Sequence, residues 1–152
     1  MTSTLRICFL LMGCLSFIVM EGQNLEDHKC ENRILIVKTS DIQSKKYREQ
    51  LKEFDDAAEA LKDRKFVVYH IIGEDFDSVD YTNPALNTSG KTSQVLSSKV
   101  FNENLNFEVI LVGLDGSIKL QQIEVIKKEA LFDIVDAMPM RSSEMRRNKV
   151  KN

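Results

Sequence analysis

Two apolar runs joined by a glycine-flanked turn dominate the hydrophobic pattern of the chain. The first run, Phe107 to Val112, is apolar at nearly every position, which is typical of a strand covered on both faces. The second run, Ser117 to Gln121, alternates polar and apolar residues, which predicts an edge strand with one wet face. The turn between them, Gly113 to Gly116, predicts an antiparallel hairpin. We therefore expect a layered α/β domain with this hairpin at one side of its sheet.

Before the hairpin, two more apolar runs flank a helical pattern. Arg33–Lys38 and Lys65–Ile72 are rich in β-branched residues and are expected to be buried strands. Between them, Ser40 to Gln43 resembles a capping box, and apolar residues then recur every three or four positions. This pattern predicts one amphipathic helix of about five turns and a parallel pair of strands. The apolar stripe of the helix comprises Tyr47, Leu51, Phe54, Ala58 and Leu61.

The rest of the chain predicts a loop and two helices. Glu74–Thr92 is polar and without periodicity, so we expect a long exposed loop. Ser93–Phe101 predicts a short helix, and Lys127–Met138 predicts a last helix that Pro139 ends. The order β-α-β-α-β-β-α predicts a three-layer, thioredoxin-like α/β fold. Its four-stranded mixed sheet would have the order 2-1-3-4, with the first and last helices on one face.

Composition and the amino terminus indicate the class of protein and its compartment. The 152 residues are enough for one domain with a core, and the net charge of -2 does not indicate a nucleic-acid-binding protein. Residues 1–22 have a basic start and an uncharged apolar run, Ile7–Met20, which predicts a signal peptide rather than a membrane anchor. We therefore predict a secreted protein without stable membrane insertion. It would comprise a signal peptide at 1–22, a thioredoxin-like domain at 27–140 and a basic tail at 141–152.

Removal of the signal peptide would leave Cys30 as the single cysteine. Thioredoxin-like enzymes hold a reactive cysteine at the turn after the first strand, but here that turn is Thr39 to Ile42. One cysteine cannot form and resolve a disulfide within the chain, so dithiol exchange is not expected. Cys30 is predicted to be a free thiol or an intermolecular disulfide that links a homodimer. The alternative is a redox or peroxide-handling role for Cys30, favoured by its neighbours His28 and Lys29.

Other ionisable groups do not form a catalytic arrangement in the sequence. His70 lies within the second predicted strand, and no serine or cysteine partner is implied by its spacing, so we expect a histidine of the core. Four loop acids lack the glycine and terminal glutamate of a calcium loop, so they are expected to be solvated. These acids are Glu74, Asp75, Asp77 and Asp80. We predict no enzyme activity, cofactor or metal site.

Two surface features suggest modification and binding. Asn87-Thr88-Ser89 is an N-glycosylation acceptor within the predicted loop. The predicted tail is basic and has Glu144 as its single acid, which suits a sulfated glycosaminoglycan such as heparan sulfate, or simply a solubilising tail. Its basic residues are Arg141, Arg146, Arg147, Lys149 and Lys151.

The hairpin and the closing helix also carry a resemblance to a known family. The segments V-I-L-V-G-L-D-G-S-I-K-L and L-F-D-I-V-D-A-M-P-M-R-S-S-E-M-R resemble a domain of unknown function with a proposed thioredoxin-like fold. That domain forms the C-terminal part of sushi-repeat-containing secreted proteins. It is repeated in the matrix protein equarin and its mammalian relatives, and it occurs alone in short bacterial exported proteins. Asp136–Arg141 is the most specific segment, and Asn32–Val37 resembles the first strand of the family.

The resemblance implies a binding protein rather than an enzyme. Animal members resemble extracellular matrix or adhesion factors, some are linked to glycosaminoglycan binding, and no catalytic residue carries over. The chain lacks the sushi repeats and basic linkers of the larger members. We therefore expect a secreted, non-catalytic module that binds a matrix protein, a cell-surface receptor or heparan sulfate in cell adhesion.

Overall fold

The computed structural model describes residues 28–92, 102 and 104–151, with side-chain surroundings up to Arg147. The predicted signal peptide and the predicted helix Ser93–Phe101 lie outside the described residues. Within them are six strands: β1 Arg33–Thr39, β2 Phe66–Ile72, β3 Asp75–Asp80, β4 Thr88–Lys91, β5 Phe107–Val112 and β6 Ile118–Gln122. The α-helices of this part are α1 Lys45–Lys52, α2 Ala58–Asp63, α3 Lys128–Asp136 and α4 Pro139–Lys151.

All six strands form one mixed sheet in the order β4-β3-β2-β1-β5-β6. Strand β1 is parallel to β2 and antiparallel to β5, and β5 pairs with β6 through the predicted hairpin. These pairings confirm the mixed α/β class, the parallel first pair and the edge position of β6. The prediction of a four-stranded sheet is wrong, because β3 and β4 extend the sheet beyond β2.

The two additional strands come from the segment predicted to be a loop. Gly73, at φ +61°, and Glu74 form a two-residue turn that folds β3 back onto β2. The side chains of β3 that are buried are Phe76, Ser78 and Asp80, so two of its three inward positions are polar. A search for apolar alternation therefore misses the strand.

The core lies on both faces of the sheet. On one face, Tyr47 of α1, Leu61 of α2 and Leu131 of α3 pack in one cluster with buried residues of β1, β2 and β5. This arrangement confirms that the first and last predicted helices share a face. On the opposite face, Ile36 and Ile110 belong to a second buried cluster drawn from β1, β2, β3 and β5.

The predicted five-turn helix is two shorter helices. Ser44, not Ser40, caps α1 by accepting a hydrogen bond from the Tyr47 N–H at 3.2 Å. The chain then turns between Lys52 and Ala58, and Phe54, Ala57 and Leu61 are the buried apolar residues of this part. Ala58, a member of the predicted stripe, is exposed.

Pro139 begins a helix instead of ending one. Helix α3 stops at Asp136, and Pro139 is the first residue of α4. Proline suits this position because the first N–H groups of a helix have no intrahelical partner to lose. The basic segment after residue 140 is consequently part of a helix that packs on the domain.

A buried amide fastens α1 to the segment before α3. The side chain of Gln50 is fully buried, and its Nε2 donates to the carbonyl oxygen of Ile126 at 3.0 Å. Its Oε1 accepts from the N–H of Ile126 at 2.8 Å. Both backbone groups of Ile126 thus depend on one side chain.

We expect Gln50→Leu to lower the free energy of unfolding by about 2–4 kcal/mol, because it leaves two buried backbone groups unpaired. Arg48→Leu, at an exposed position of the same helix, is the control and should change stability by no more than about 0.5 kcal/mol. Urea unfolding of both variants measures the difference. Equal stability of the two variants would contradict this role of Gln50.

Candidate functional site

A cluster of charged side chains joins four elements at the amino end of β1. Arg33, the first residue of β1, is fully buried. Its Nη1 donates to the carbonyl oxygen of Arg64 at 2.8 Å, and its Nη2 donates to the Glu144 carboxylate at 3.3 Å. Lys65, in the turn between α2 and β2, lies 3.4 Å from the other oxygen of Glu144. The start of β1, the α2–β2 turn and α4 are thereby tied together.

Asp136, the last residue of α3, is held by two arginines. Arg64 binds its carboxylate with two hydrogen bonds, of 3.1 Å and 2.6 Å, and Arg141 donates to it from Nε at 3.1 Å. The guanidinium of Arg64 also stacks over the ring of Phe132 at 4.3 Å from the ring centroid. Burial alone would raise the pKa of Asp136, but these arginine hydrogen bonds outweigh it and hold the pKa below its usual range.

Arg141 is a structural residue of this cluster and not part of an exposed basic tail. Its side chain is 4% exposed, donates to the Asp63 carbonyl oxygen at 2.8 Å and pairs with the Asp63 carboxylate. Its assignment to a polyanion-binding surface is therefore corrected, because its donors are already occupied by Asp63 and Asp136. Arg146 and Arg147 are exposed, and the side chains of Lys149 and Lys151 lie outside the described part.

The charges of the cluster do not cancel. Three carboxylates face four cations, an excess of one positive charge. The side chains of Lys65 and Asp63 are 46% and 52% exposed, so water screens part of this charge. The members are Asp63, Asp136 and Glu144, and Arg33, Arg64, Lys65 and Arg141. Burial lowers the pKa of Arg33, and the Glu144 carboxylate offsets only part of this effect. The Nε–H of Arg33 has no hydrogen-bond acceptor among the described residues.

A cavity of about 460 Å³ lies beside the charge cluster, a volume within the range of about 300–1,000 Å³ that is usual for ligand pockets. Arg33 forms part of its wall. The apolar wall comes from the hairpin turn and from the elbow between α3 and α4. It comprises Leu114, Ile134, Ala137, Met138, Pro139 and Met140.

An ion pair on the hairpin completes the cavity wall. Lys119 donates to Asp115 at 2.6 Å, and both residues line the cavity. Hydrogen bonds from Lys119, and then from the N–H and hydroxyl of Ser117, lower the pKa of Asp115 to about 2. The pair is therefore charged but neutral overall at physiological pH, and the unbalanced charge of the site belongs to the cluster around Arg33.

The opposite end of β1 is built differently. A cavity of about 390 Å³ there is lined by residues that include Ser40, Asp41, Ser44 and Asn106. The hydroxyl of Thr39 donates to the Asp41 carbonyl oxygen at 2.9 Å, and the Asp41 carboxylate accepts from the Gln43 N–H at 2.8 Å. The polar side chains of this turn are thus used to hold its own backbone.

Cys30 lies near the cavity at the amino end of β1. It is exposed, it adopts φ +70°, and its N–H donates to the carbonyl oxygen of Leu114 at 2.8 Å. Strand β1, which is about 20 Å long from Arg33 to Thr39, lies between Cys30 and the turn at Thr39. His28, its predicted activating neighbour, forms a hydrogen bond of 2.8 Å with the hydroxyl of Tyr69.

Of the four acids expected to be solvated, Glu74, Asp75 and Asp77 are exposed, whereas Asp80 is buried and holds backbone groups. His70 lies directly opposite Asp77 in the β2–β3 register, and its ring meets that of Tyr47 edge-on at 6.3 Å. Burial lowers the pKa of His70, and its Nδ1 has no described partner. Asp80 is buried and accepts from the N–H groups of Thr82 and Asn83. No group of three or more metal-ligating side chains occurs among the described residues.

Asn87, the predicted glycosylation acceptor, is exposed between the Pro84–Leu86 3₁₀ turn and β4. Its Oδ1 accepts from the N–H of Asp80 at 2.8 Å. None of the described residues accepts a hydrogen bond from its Nδ2. The nitrogen that a glycan would occupy is therefore not used by the fold.

Reasoning from sequence missed most of the charge cluster. Arg33 and Arg64 stand at the ends of predicted elements, where charged residues are usually solvated, and nothing in their spacing pairs them with residues far along the chain. The one usable signal was the segment Asp136–Arg141, which the family resemblance marked as specific. It supplies a carboxylate and an arginine of the cluster and also four residues of the cavity wall.

We expect Arg141→Met to lower the free energy of unfolding by about 3 kcal/mol, because Asp63 loses its arginine partner and Asp136 loses one of its two. This loss is at the low end of the range for removal of one partner of a buried ion pair, because Asp63 and Asp136 keep partial access to water. Arg146→Met, at an exposed position of the same helix, should change stability by no more than about 0.5 kcal/mol. Urea unfolding at pH 7 measures both. A similar loss in the two variants would contradict the cluster's role.

The stability difference between the wild type and Arg141→Met should narrow on acidification. The pKa of Asp136 is lower in the folded state than in the unfolded state, where it is near 4. The ionised carboxylate therefore adds to the free energy of unfolding above about pH 4. This stabilisation is lost as the pH falls through the folded pKa. Protonation removes the carboxylate that Arg141 stabilises. Thermal unfolding of both proteins between pH 7 and pH 2 tests this, and a constant difference across that range would refute it.

The comparisons with known proteins identify a family but no individual relative. No helix of the described part is long and apolar enough to cross a lipid bilayer. No curated protein and no solved structure matches the chain. The family model described as "Domain of unknown function (DUF4174)" matches residues 24–144, which include every element of the sheet and the charge cluster. The chain therefore belongs to the DUF4174 family.

Proposed function

We propose that the chain is a secreted, non-catalytic, thioredoxin-like module that binds an extracellular partner, a matrix protein or a cell-surface receptor, in cell adhesion. The signal-peptide pattern of residues 1–22 supports secretion. The strands β2-β1-β5-β6, with the helices α1 and α3 on one face, support a thioredoxin-like origin for the domain.

The turn at the carboxyl end of β1 is the observation on which the non-catalytic proposal rests. Thioredoxin-like enzymes need a thiol at this position, where a helix amino terminus lowers its pKa. Thr39, Ser40 and Asp41 occupy the turn, and Ser40 bonds to Asn106 through both its N–H and its hydroxyl, at 3.0 Å and 3.3 Å. Side chains that hold the turn are not free to act on a substrate.

The exposed thiol of Cys30 supports a second candidate, a redox or peroxide-handling function. Its position argues against this candidate, because it lies at the other end of β1 from the turn and His28 is bonded to Tyr69. A disulfide-linked homodimer through Cys30 fits the same exposure. The redox function requires a fast-reacting Cys30 thiol, whereas a disulfide-linked homodimer does not.

Modification and polyanion binding form part of the proposal. The exposed side chain of Asn87, with Nδ2 unused, suits N-glycosylation. Heparan sulfate is proposed as a partner of α4 through the exposed Arg146 and Arg147 together with Lys149 and Lys151. Arg141 is not included because it is buried.

Expression of the full chain in cultured animal cells tests secretion and partner binding. We expect the protein in the medium, with a mass that falls on glycosidase treatment and in Asn87→Gln. Cross-linked pull-down from the medium, with and without reductant, should recover a distinct partner, and Cys30→Ser tests whether any disulfide-linked dimer depends on that thiol. Retention of the chain in the cytosol would overturn the proposal. A Cys30 alkylation rate well above that of a free model thiol would favour the redox alternative.

Chromatography on heparin tests the polyanion surface. We expect salt-sensitive retention that decreases in Arg146→Gln/Arg147→Gln, because two exposed cations are removed. The matched control is Lys45→Gln/Arg48→Gln, which neutralises two exposed cations of α1. Equal losses of retention in both double variants would indicate non-specific attraction, and unchanged retention of Arg146→Gln/Arg147→Gln would exclude these two arginines as heparin contacts.

A further inference from the structure

The cavity at the amino end of β1 has an apolar side and a positively charged side. The elbow between α3 and α4 contributes Ala137, Met138 and Met140, and the opposite wall contains Arg33 and Lys119. Pockets of this size that are mostly apolar, with a few fixed polar groups, are typical of small-ligand sites. Because one side of the cavity is apolar and the other is charged, the cavity suits an amphiphilic ligand with an apolar part and a polar part.

The charge cluster lacks a hydrogen-bond acceptor and a balancing negative charge, and these indicate the polar part of the ligand. The Nε–H of Arg33 is a buried donor without an acceptor among the described residues, which is unfavourable in a site from which water is largely excluded. The cluster also retains one unbalanced positive charge. A single negatively charged acceptor would accept the hydrogen bond from the Arg33 Nε–H and would also balance the excess charge. A cation or a neutral apolar group would do neither.

We propose that this cavity binds an amphiphile with a flexible aliphatic chain and one carboxylate head group. The chain packs against the elbow of α3 and α4, and the carboxylate accepts the hydrogen bond from the Nε–H of Arg33. Lys119, in the same wall, adds a second positive charge beside its partner Asp115. The proposal goes beyond the proposed function and does not depend on where the protein resides.

In this proposal the carboxylate reaches Arg33 when the side chains of Met138 and Met140 move. Arg33 is fully buried, so a ligand reaches it only if a neighbouring side chain moves. Met140 is 46% exposed at the edge of the cavity, and Met138 is half-buried within it. Unbranched methionine side chains change rotamer easily and adapt to a bound apolar chain.

Isothermal titration of the purified protein with decanoate and with decanol tests the proposal. We expect saturable binding of one decanoate and at least tenfold weaker binding of decanol, because the alcohol carries no charge for the cluster. Binding of decanol as tight as that of decanoate would overturn the role of the head group. Absence of saturable decanoate binding would overturn the site.

Two alanine variants locate the binding. Ala137→Leu places a larger side chain in the cavity wall and should weaken decanoate binding at least tenfold. Ala130→Leu makes the same change at an exposed position of α3 outside the cavity and should leave the affinity unchanged. Equal affinities of the two variants would place decanoate elsewhere on the surface.

Nuclear magnetic resonance of the arginine side chains tests the contact itself. The ¹⁵N–¹H resonance of Arg33 Nε should shift on addition of decanoate and not of decanol. It can be assigned without replacing Arg33, so the test does not depend on a variant that disrupts the fold. A shift confined to Arg146 and Arg147 would show surface attraction only and would overturn the proposal.

Discussion

The ion pairs between Arg141, Asp136 and Arg64 hold together the end of the molecule at which its cavity lies. They join α4 to the end of α3 and to the turn before β2, and the Arg33–Glu144 pair adds the start of β1. Residues more than 70 positions apart in the chain are thus bound within one cluster. Burial of a charge costs hydration free energy. The hydrogen bonds from two arginines to one carboxylate offset this cost only when the side chains are held in a fixed geometry. The cluster therefore specifies how α4 packs more than it adds to stability.

This constraint explains why a cavity persists beside it. Closer packing of the segment around Pro139 onto the hairpin would bury more of Met138 and Met140, which are half-buried and exposed, respectively. Arg141 follows the elbow by two residues and is fixed to Asp63 and Asp136, so α4 cannot move toward the hairpin without breaking those contacts. The same cluster that orders the helix keeps the space open.

Local patterns in the sequence predicted the parts of the fold that depend on apolar periodicity. The hairpin of β5 and β6, the parallel pair of β1 and β2 and the shared face of α1 and α3 were all predicted correctly. Strand β3 was missed because Ser78 and Asp80 occupy its inward positions, and the break after Lys52 was missed because Phe54 continues the helical spacing. The charge cluster was missed for a different reason. Arg141 has the sequence context of a solvated tail, and its pairing with Asp63, 78 positions earlier in the chain, is not visible in any local pattern.

The two ends of β1 differ in how their polar groups are used. At the carboxyl end, the Ser40 hydroxyl donates to the Asn106 side chain and the Asp41 carboxylate accepts from the Gln43 N–H, so both side chains hold the turn. At the amino end, the cluster leaves a donor of Arg33 unpaired next to apolar side chains. An unpaired buried donor is costly unless something completes it, and an apolar cavity is costly unless something fills it. Both costs occur at one place, and a single amphiphilic ligand would remove both. The outer face of α4 differs from this end, because Arg146 and Arg147 are exposed there and have no comparable buried donor.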